Sequence, residues 1–284
     1  MFKKIAIVKI IGGFGNQLFQ YSFANKLKKM GIRVFVDTSE YKKNKKTNIT
    51  KRNLEIDPYF FNLKKVGKFL KFFVDISSSL KLNTRLNINN RQNVIFNLQN
   101  DENLDLNIKS FINKYEGYFQ NTDLLNENIE FIKKSITRYQ ESDVLNNLNK
   151  NKGSTALHIR RTDYIDMDEA LSLEFYENAL NFCRENVEDF NYSIFTDDKE
   201  FSENELFKDA KEVFVSYQEK NKTLNDFINM TTYENFIVGN STFSLIASQI
   251  GKIDSSVIIV AKPWFRNQKS PNLNHDSWKT LKNI

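Results

Sequence analysis

The sequence of 284 residues is poor in cysteine, proline and glycine, and it has no long hydrophobic run. It contains one cysteine, three prolines and nine glycines. A single cysteine excludes an internal disulfide bond and suits a reducing compartment. Cys183 lies among apolar residues of a predicted helix, so we expect an inert core side chain there. No stretch approaches the roughly 20 apolar residues of a membrane-spanning helix, so no such helix is predicted.

The N-terminal residues lack the pattern of a secretion signal. The segment from Ile5 to Ile11 is apolar, but Lys9 interrupts it and no small-residue cleavage site follows. We therefore expect a cytoplasmic protein. The net charge is +6, with basic residues densest from Lys42 to Arg52. That run is either a solvated loop or a contact to an anionic surface, such as the inner membrane face for a peripheral protein. No nucleic-acid-binding motif is recognisable, so nucleic acid is not an expected partner.

Strand and helix patterns alternate at both ends of the chain, which is typical of an α/β fold. Near the N-terminus, an apolar strand precedes a glycine-rich turn and an amphipathic helix, which Gly31 ends before a second strand. The alternation restarts at Thr155 after a polar connector. We predict two Rossmann-like domains facing a cleft, the first over residues 1–150 and the second over 151–284. The polar tail is predicted to close as a helix that can pack back on the first domain, and residues 64–107 match no recognisable pattern.

The turn after the first strand reads Gly12-Gly13-Phe14-Gly15-Asn16-Gln17. Gly13 and Gly15 fit the start of a dinucleotide fingerprint, but Leu18 occupies the position of its third glycine, which argues against NAD. Glycine lets the backbone approach a ligand because it has no Cβ. The turn is therefore either a ligand contact, with Asn16 and Gln17 supplying amides, or simply a tight turn.

The segment from His158 to Tyr164 places two arginines at the end of a predicted strand. Arg160 and Arg161 are costly there unless an anion or a carboxylate meets them. The planar guanidinium group suits a diphosphate better than the point charge of lysine. This pattern therefore favours an anion site over a surface salt-bridge cluster.

Two further segments have polar residues where a predicted strand ends. Thr196-Asp197-Asp198 offers carboxylates that could accept hydrogen bonds from guanine, although a helix N-cap explains them equally well. Asn240-Ser241-Thr242-Phe243-Ser244 brings three hydroxyls to a helix start, where unpaired N–H groups attract anions. Asp166-Met167-Asp168 matches a short motif that holds Mn²⁺ or Mg²⁺ in many sugar transferases. Two arginines can neutralise a diphosphate without a metal, so we expect no metal and no other cofactor.

Together, these segments and Gly117-Tyr118-Phe119-Gln120 resemble the α-1,2-fucosyltransferase family of bacteria and animals, glycosyltransferase family 11. They occur in family order over nearly the whole chain. The sequence departs from many relatives at Leu245-Ile246, where those carry tryptophan. The resemblance implies the GT-B architecture, with an acceptor-side first domain and a GDP-sugar-binding second domain. It implies inverting, metal-independent transfer of L-fucose from GDP-β-L-fucose to a hydroxyl of a glycan or lipid-linked oligosaccharide, such as O2 of galactose, in surface polysaccharide assembly.

The resemblance also implies roles for individual residues. Arg160 would hold the β-phosphate with support from Arg161, and Asp163 would act as a general base or orient an arginine. Asn16 and Gln17 would face the acceptor. The remaining donor-binding residues would be His158, Asp198, Asn240, Ser241, Thr242, Ser244, Gly13 and Gly15.

Two alternatives stay open. One is a transferase of the same architecture with another linkage or nucleotide sugar. The other is a basic membrane- or nucleic-acid-binding module without catalysis, which accounts for the lysines but not for the Arg160-Arg161 pair.

Overall fold

The structure is a computed structural model that describes residues 4–42, 53–72, 86–88, 91–93, 97–98, 112–140, 152–216, 222–271, 273 and 275–283. The chain divides into two compact units, Met1–Tyr139 and Gln140–Ile284, which we name unit 1 and unit 2. Each unit has a parallel sheet with helices, which confirms the predicted α/β class. The acceptor and donor roles of the two halves, and the cleft, stay predictions.

Unit 1 is built on a five-stranded parallel sheet in the order β3-β2-β1-β7-β6, with a separate antiparallel pair formed by β4 and β5. The strands are β1 (Ile5–Lys9), β2 (Arg33–Asp37), β3 (Lys64–Lys65), β4 (Leu86–Ile88), β5 (Arg91–Asn93), β6 (Asn97–Leu98) and β7 (Ile112–Tyr115), and the helices are α1 (Phe14–Lys29), α2 (68–72), α3 (Thr122–Asn126) and α4 (Ile129–Gln140).

The first strand, turn and helix of unit 1 form as the sequence predicts. β1 is central and pairs in parallel with β2 and β7, so its apolar side chains are covered on both faces. α1 buries Leu18, Phe19 and Phe23. Gly31 follows α1 with a φ of +81°, the left-handed conformation that commonly ends helices. Within the described residues, 68–72 are also helical.

Unit 2 is built on a six-stranded parallel sheet in the order β10-β9-β8-β11-β12-β13. The strands are β8 (Ser154–Ile159), β9 (Asn191–Thr196), β10 (Val213–Val215), β11 (Asn235–Gly239), β12 (Ile258–Lys262) and β13 (Lys279–Lys282), and the helices are α5 (Thr162–Asp166), α6 (Leu173–Asn186), α7 (Lys199–Ser202), α8 (Lys222–Met230) and α9 (Thr242–Gly251).

The strand order of unit 2 determines where a ligand can bind. The chain passes from β8 outward to β9 and β10, then returns to the other side of β8 at β11. Strand order thus reverses between β8 and β11. In open parallel sheets, ligands bind outside the carboxyl ends of the strands at this switch point. The segments that follow Ile159 and Gly239 are therefore the natural site in unit 2.

The C-terminal tail corrects one prediction, because it forms a strand and not a helix. Lys279–Lys282 pair in parallel with β12, and the backbone N–H of Asn283 donates to the carbonyl of Lys262. Leu281 packs on the core, and the other three side chains of the strand are exposed. An edge strand covered on one face needs few apolar residues, which explains the polar sequence of the tail.

Cys183 lies in the core of unit 2, where 1% of its surface is exposed, and burial raises the pKa of its thiol to about 12. A thiol that stays protonated is a poor nucleophile, so the prediction of an inert core residue is confirmed. Among the helices of the described ranges, none is long and apolar enough to cross a bilayer.

Candidate functional site

The end of β8 carries the arginine pair, and Arg160 lies between two carboxylates. Its Nη2 pairs with Oδ1 of Asp163 and its Nη1 pairs with Oδ2 of Asp197. The guanidinium carbon lies 5.9 Å from the ring centre of Tyr164. A guanidinium group has five N–H donors, and these two pairs use one proton on each Nη. Three N–H groups therefore stay available as far as the described residues are concerned, and 19% of the side chain is exposed.

Arg161 faces a different set of partners. Its Nε donates to Oδ2 of Asp198 at 3.1 Å, and its Nη1 donates to the carbonyl of Leu171 at 3.4 Å. The guanidinium carbon lies 3.8 Å from the ring centre of Phe201, a cation–π contact. Arg161 is therefore fixed on three sides, by a carboxylate, a carbonyl and an aromatic face.

Asp197, which follows β9, connects the ends of the two strands. Its Oδ1 accepts from the backbone N–H of Arg161 at 2.8 Å, and its Oδ2 accepts from the hydroxyl of Thr162 at 2.7 Å and from Arg160. Only 10% of the side chain is exposed. The predictions stressed Asp198 and missed the role of Asp197. The pairing of β8 with β9, which places Asp197 beside the arginines, was the missing information.

Asp198 caps α7, as one of the two sequence interpretations predicted. Its Oδ1 accepts from the backbone N–H of Phe201 at 3.0 Å, and its Oδ2 accepts from Arg161. Each oxygen keeps a second lone pair for a ligand. A pocket of about 480 Å³ opens here, lined by Arg161, Asp198, Glu200, Phe201, Glu203 and Asn204.

His158 lies in β8, two residues before Arg160, and 8% of its surface is exposed. Its ring packs on Phe243 of α9 with 5.5 Å between ring centres. Burial lowers the pKa of His158 to about 4, opposed by the carboxylate of Asp197 and reinforced by Arg160. Its Nδ1 is buried and has no hydrogen-bond partner within the described part of the chain. A buried polar atom without a partner is costly, and a ligand atom would relieve that cost.

The start of α9 divides the predicted phosphate-binding residues into two groups. Ser241 precedes the helix, and its side chain makes no capping hydrogen bond. The backbone N–H groups of the first turn have no acceptor within the helix, as at any helix start. Ser244 is different, because its hydroxyl donates to the carbonyls of Val238 and Ser241. A hydroxyl has one proton, so in this arrangement the hydroxyl of Ser244 holds the turn, and its donor-binding role stays a prediction.

Asn240 also has a structural contact. Its side-chain amide donates to the carbonyl of Glu169 at 2.9 Å, and its own carbonyl accepts from the hydroxyl of Tyr164 at 3.2 Å. The residue is 2% exposed. Asn240 therefore ties the end of β11 to α5 and to the loop after α5. Together with Ser241 and Thr242 it follows β11, beside the switch point of the sheet.

The glycine-rich turn belongs to unit 1, and its residues differ in exposure. A Cβ built on Gly13 would meet nothing within 4 Å, whereas Gly15 is buried in the first turn of α1. Asn16 is half-buried, and its Oδ1 accepts from Gln120 at 2.7 Å. Gly13 and Asn16 are therefore the residues of this turn that a ligand could reach.

The side-chain amide of Gln17 makes its hydrogen bonds within unit 1. The Nε2 donates to the carbonyls of Gly12 and Asn53, and Oε1 accepts from the N–H of Glu55. The residue is 1% exposed. Gln17 therefore holds the segment at 53–55 against the turn, and its contact to an acceptor stays a prediction.

Asp168, the last residue of the possible metal motif, contacts the segment after β12. The carboxylate of Asp168 accepts from the side chain of Asn267 at 3.1 Å and lies 3.7 Å from Arg266. Asp168 also has a φ of +54°. In the described ranges, no group of three or more His, Cys, Asp or Glu side chains has the arrangement of a metal site. The motif therefore joins the loop after α5 to the segment after β12.

The arginine site is not a bare cationic surface. Two arginines and three aspartates meet at the ends of β8 and β9, so their formal charges leave one negative charge in excess. The carboxylates hold the guanidinium groups in fixed positions, which reduces the cost of ordering them when an anion binds. They also make the site selective, since an anion must offer enough oxygens to compete with them.

Comparisons with known proteins identify relatives over the whole chain. The model of Glycosyl transferase family 11 matches residues 4–281. The O-antigen biosynthesis glycosyltransferase WbnK of Escherichia coli is 24% identical over 302 residues, which cover 95% of this chain and 98% of that protein. An alpha-1,2-colitosyltransferase of Escherichia coli is 22% identical over 284 residues, covering 93% of this chain and 94% of the relative.

Solved structures with a distant likeness include two fucosyltransferases. A mutant of Arabidopsis thaliana FUT1 in complex with GDP has 13% identity and a TM-score of 0.45, covering 90% of this chain and 70% of that one. Fucosyltransferase NodZ from Bradyrhizobium has 12% identity and a TM-score of 0.43, covering 88% and 94%.

Proposed function

The chain belongs to glycosyl transferase family 11, and we propose that it transfers L-fucose from GDP-β-L-fucose to a glycan hydroxyl. The transfer inverts the anomeric carbon, needs no metal ion and forms an α-1,2 linkage to galactose. The observation that carries the proposal is the pair Arg160-Arg161 at the end of β8, beside the switch point of unit 2 and held by three carboxylates.

Arg160 would bind the β-phosphate through the N–H groups that Asp163 and Asp197 leave available. In the reaction, the bond from the anomeric carbon to the β-phosphate oxygen breaks while the acceptor oxygen bonds to the same carbon. Negative charge grows on the leaving GDP, so a fixed guanidinium stabilises the transition state more than the bound donor. The acceptor proton passes to a base or to water.

The start of α9 and His158 would complete the phosphate site. Ser241 has a hydroxyl that does not cap the helix, and the N–H groups of Thr242 and Phe243 belong to the first turn, where an anion is favoured. The ring of His158 packs on Phe243 of that turn, and its Nδ1 has no hydrogen-bond partner among the described residues. A neutral imidazole nitrogen can donate or accept one hydrogen bond, which suits a ribose hydroxyl or a phosphate oxygen.

The pocket beside Arg161 would take the guanine base. Its lining offers carboxylates at Asp198, Glu200 and Glu203, and the aromatic ring of Phe201. Guanine presents ring and amino N–H donors on one edge, which carboxylates accept, whereas uracil presents one N–H between two carbonyls. The acidic lining therefore supports a guanine nucleotide over a uridine nucleotide.

The acceptor and the pathway are supported by the relatives. One relative is described as an O-antigen biosynthesis glycosyltransferase and the other as an alpha-1,2-colitosyltransferase. We therefore propose a galactose-containing glycan or lipid-linked oligosaccharide as the acceptor, in cytoplasmic O-antigen or surface polysaccharide assembly. Asn16 is the acceptor-side candidate. The ion pair between Asp163 and Arg160 favours an orienting role for Asp163, one of its two predicted alternatives.

GDP-colitose is a second candidate donor, because one relative is described as an alpha-1,2-colitosyltransferase. Colitose is L-fucose without the 3-hydroxyl group, so the two donors differ by a single oxygen. A site that hydrogen-bonds a substrate hydroxyl rejects the analogue that lacks it by roughly 10⁴-fold or more. GDP-colitose and GDP-fucose should therefore differ strongly as donors if the site binds that hydroxyl.

The test is an assay of the purified full chain with GDP-fucose, GDP-colitose or UDP-galactose as the donor and a panel of galactosides as acceptors. NMR assigns the linkage of each product, and a parallel set of reactions contains EDTA. The proposal expects a fucosylated product linked at O2 and unchanged turnover in EDTA. Transfer of colitose alone would identify the second candidate. Transfer from UDP-galactose alone, or loss of activity in EDTA that Mn²⁺ restores, would overturn the proposal.

A further inference from the structure

The helix α2 of unit 1 has two aromatic side chains that are exposed and one lysine that is paired with a buried carboxylate. Phe69 and Phe72 lie three residues apart, on one face of the helix, and are 77% and 62% exposed. Lys71 pairs with Asp37, whose side chain is 5% exposed. A surface helix normally buries its large apolar side chains, so the exposure of both rings is unusual.

Exposed lysines precede the two phenylalanines. Lys64 and Lys65 form the edge strand β3, and Lys68 lies in the first turn of α2; all three are exposed. From Pro58 to Phe72 the sequence has four lysines and no acidic residue. We name Lys64, Lys65, Lys68, Phe69 and Phe72 the 64–72 patch.

Protection of the sheet edge explains only part of this patch. Lysines on an edge strand prevent pairing with another chain, which accounts for Lys64 and Lys65. It does not account for two exposed phenylalanines, which would promote association with another chain. The ion pair of Lys71 with Asp37 fixes α2 on unit 1 and leaves both rings exposed.

The charge of the whole unit favours an anionic partner. Residues 1–139 include 25 lysines and arginines and 12 aspartates and glutamates, whereas residues 140–284 include 16 and 23. The basic excess of the protein therefore belongs to unit 1, and unit 2 is acidic. A basic unit approaches an anionic surface faster than a neutral one.

We propose that the 64–72 patch docks unit 1 on an anionic lipid bilayer. Aromatic rings are favourable at the boundary between headgroups and acyl chains, and lysines beside them attract anionic headgroups. A small exposed apolar group with adjacent lysines matches that environment better than it matches water. The inference does not depend on the transfer reaction, because lipid binding is measured without donor or acceptor.

The test is co-sedimentation of the purified full chain with vesicles of phosphatidylcholine alone or with 30% phosphatidylglycerol. We expect binding to the anionic vesicles that weakens with salt, and little binding to the neutral ones. Exchanging Lys64 and Lys68 for glutamate should reduce partitioning by at least about fivefold per lysine. The double variant Phe69→Ser with Phe72→Ser should reduce it at least about tenfold.

Matched controls separate the patch from general charge and hydrophobicity. Met30→Ser removes an exposed apolar side chain elsewhere on unit 1, where Met30 is 51% exposed, and Lys134→Glu removes an exposed lysine of α4. Both control variants should bind as the unsubstituted protein does, and all variants should keep the thermal unfolding midpoint of that protein. Absence of binding to anionic vesicles, or equal loss in patch and control variants, would overturn the proposal. A concentration-dependent dimer that the phenylalanine variant abolishes, without lipid binding, would instead assign the patch to a second copy.

Discussion

Arg160 and Arg161 are neighbours in sequence but differ in what surrounds their guanidinium groups. Arg160 lies between two carboxylates with three N–H groups available in the described part of the chain, and Arg161 is fixed by Asp198, a carbonyl and the ring of Phe201 beside the pocket. The first arrangement suits a group that meets charge developing during the reaction. The second suits a group that shapes a binding pocket, so the two arginines should differ in whether substitution lowers kcat or raises KM.

Arg160→Ala should lower kcat by about ten- to a hundredfold or more, because one charge-assisted hydrogen bond contributes about 1.5–3 kcal/mol. Arg160→Lys should recover little, since a single ammonium cannot hold two carboxylates and a phosphate in fixed directions. Steady-state kinetics with GDP-fucose measure both. Arg184→Ala, a change of an exposed arginine of α6, is the matched control and should keep parental rates. Near-normal turnover in Arg160→Ala would contradict the assignment.

Asp197 is a positioning residue in this scheme. In Asp197→Asn the side chain has one acceptor oxygen and one NH₂ group, so it cannot accept from Arg161, Thr162 and Arg160 together as the carboxylate does. We expect kcat to fall about tenfold or more with a small change in KM and a cooperative unfolding transition.

A double-mutant cycle gives a readout that a purely structural role would not change. If Asp197 acts through Arg160, the effects of Asp197→Asn and Arg160→Lys on kcat should be strongly non-additive. The same cycle with Arg184→Ala should be additive. Additive effects in both cycles would mean that Asp197 supports the fold and not the arginine.

The buried His158 predicts a dependence of stability on pH. Burial lowers its pKa to about 4 in the folded chain, against about 6.5 in the unfolded chain, so the unfolded chain binds the proton first as pH falls. The contribution of His158 to the unfolding free energy is complete above about pH 6.5, decreases below that pH and is lost below about pH 4. Between pH 7 and 5 the parent should lose about 2 kcal/mol of unfolding free energy relative to His158→Asn. Urea denaturation at the two pH values measures the difference, and equal losses would exclude a buried neutral imidazole.

At the scale of elements, the end of β11 depends on a glycine. Gly239 has a φ of +67°, and a Cβ there would lie 2.9 Å from Cδ1 of Leu171. Gly239→Ala combines an unfavourable left-handed backbone with this clash, so we expect a loss of about 1–3 kcal/mol in urea unfolding. Gly13→Ala is the control, because its φ is −79° and the space around it is open. Gly13→Ala should keep stability within about 0.5 kcal/mol, and equal losses in both variants would contradict this account.

The strands and helices were predictable where buried residues form a continuous run, as in β8, in β11 and in α9 from Ser244 onward. The C-terminal strand was not predictable, because an edge strand that is covered on only one face has a mostly polar sequence. The arginine pair and Asp163 could be named from their position at a strand end. The contacts of Asp197, Gln17 and Ser244 could not be predicted from the sequence. Each contact is made to a segment that only the fold brings close, or to a backbone carbonyl whose position sequence patterns do not give.

At the scale of the whole molecule, nucleotide binding should appear as stability. A ligand that binds only the folded chain at a hundred times its Kd adds about 2.7 kcal/mol, which corresponds to several degrees in Tm. We expect GDP to raise Tm and UDP at the same concentration to raise it less, because the pocket lining is acidic. Differential scanning calorimetry measures both shifts, with Arg184→Ala as a control that keeps the GDP effect. Equal shifts by the two nucleotides would contradict a guanine-selective pocket.

The central place of β8 has a consequence for the order of events on the ribosome. β8 is the first strand of unit 2 to be synthesised, yet its two neighbours are β9 and β11, and β11 ends at Gly239. The start of α9, which follows β11 at the other side of the switch point, therefore joins these arginines only after most of unit 2 has left the exit tunnel. Nucleotide cannot guide the early stages of folding in the nascent chain, and any rescue of a weakened variant by added GDP should act after translation is nearly complete.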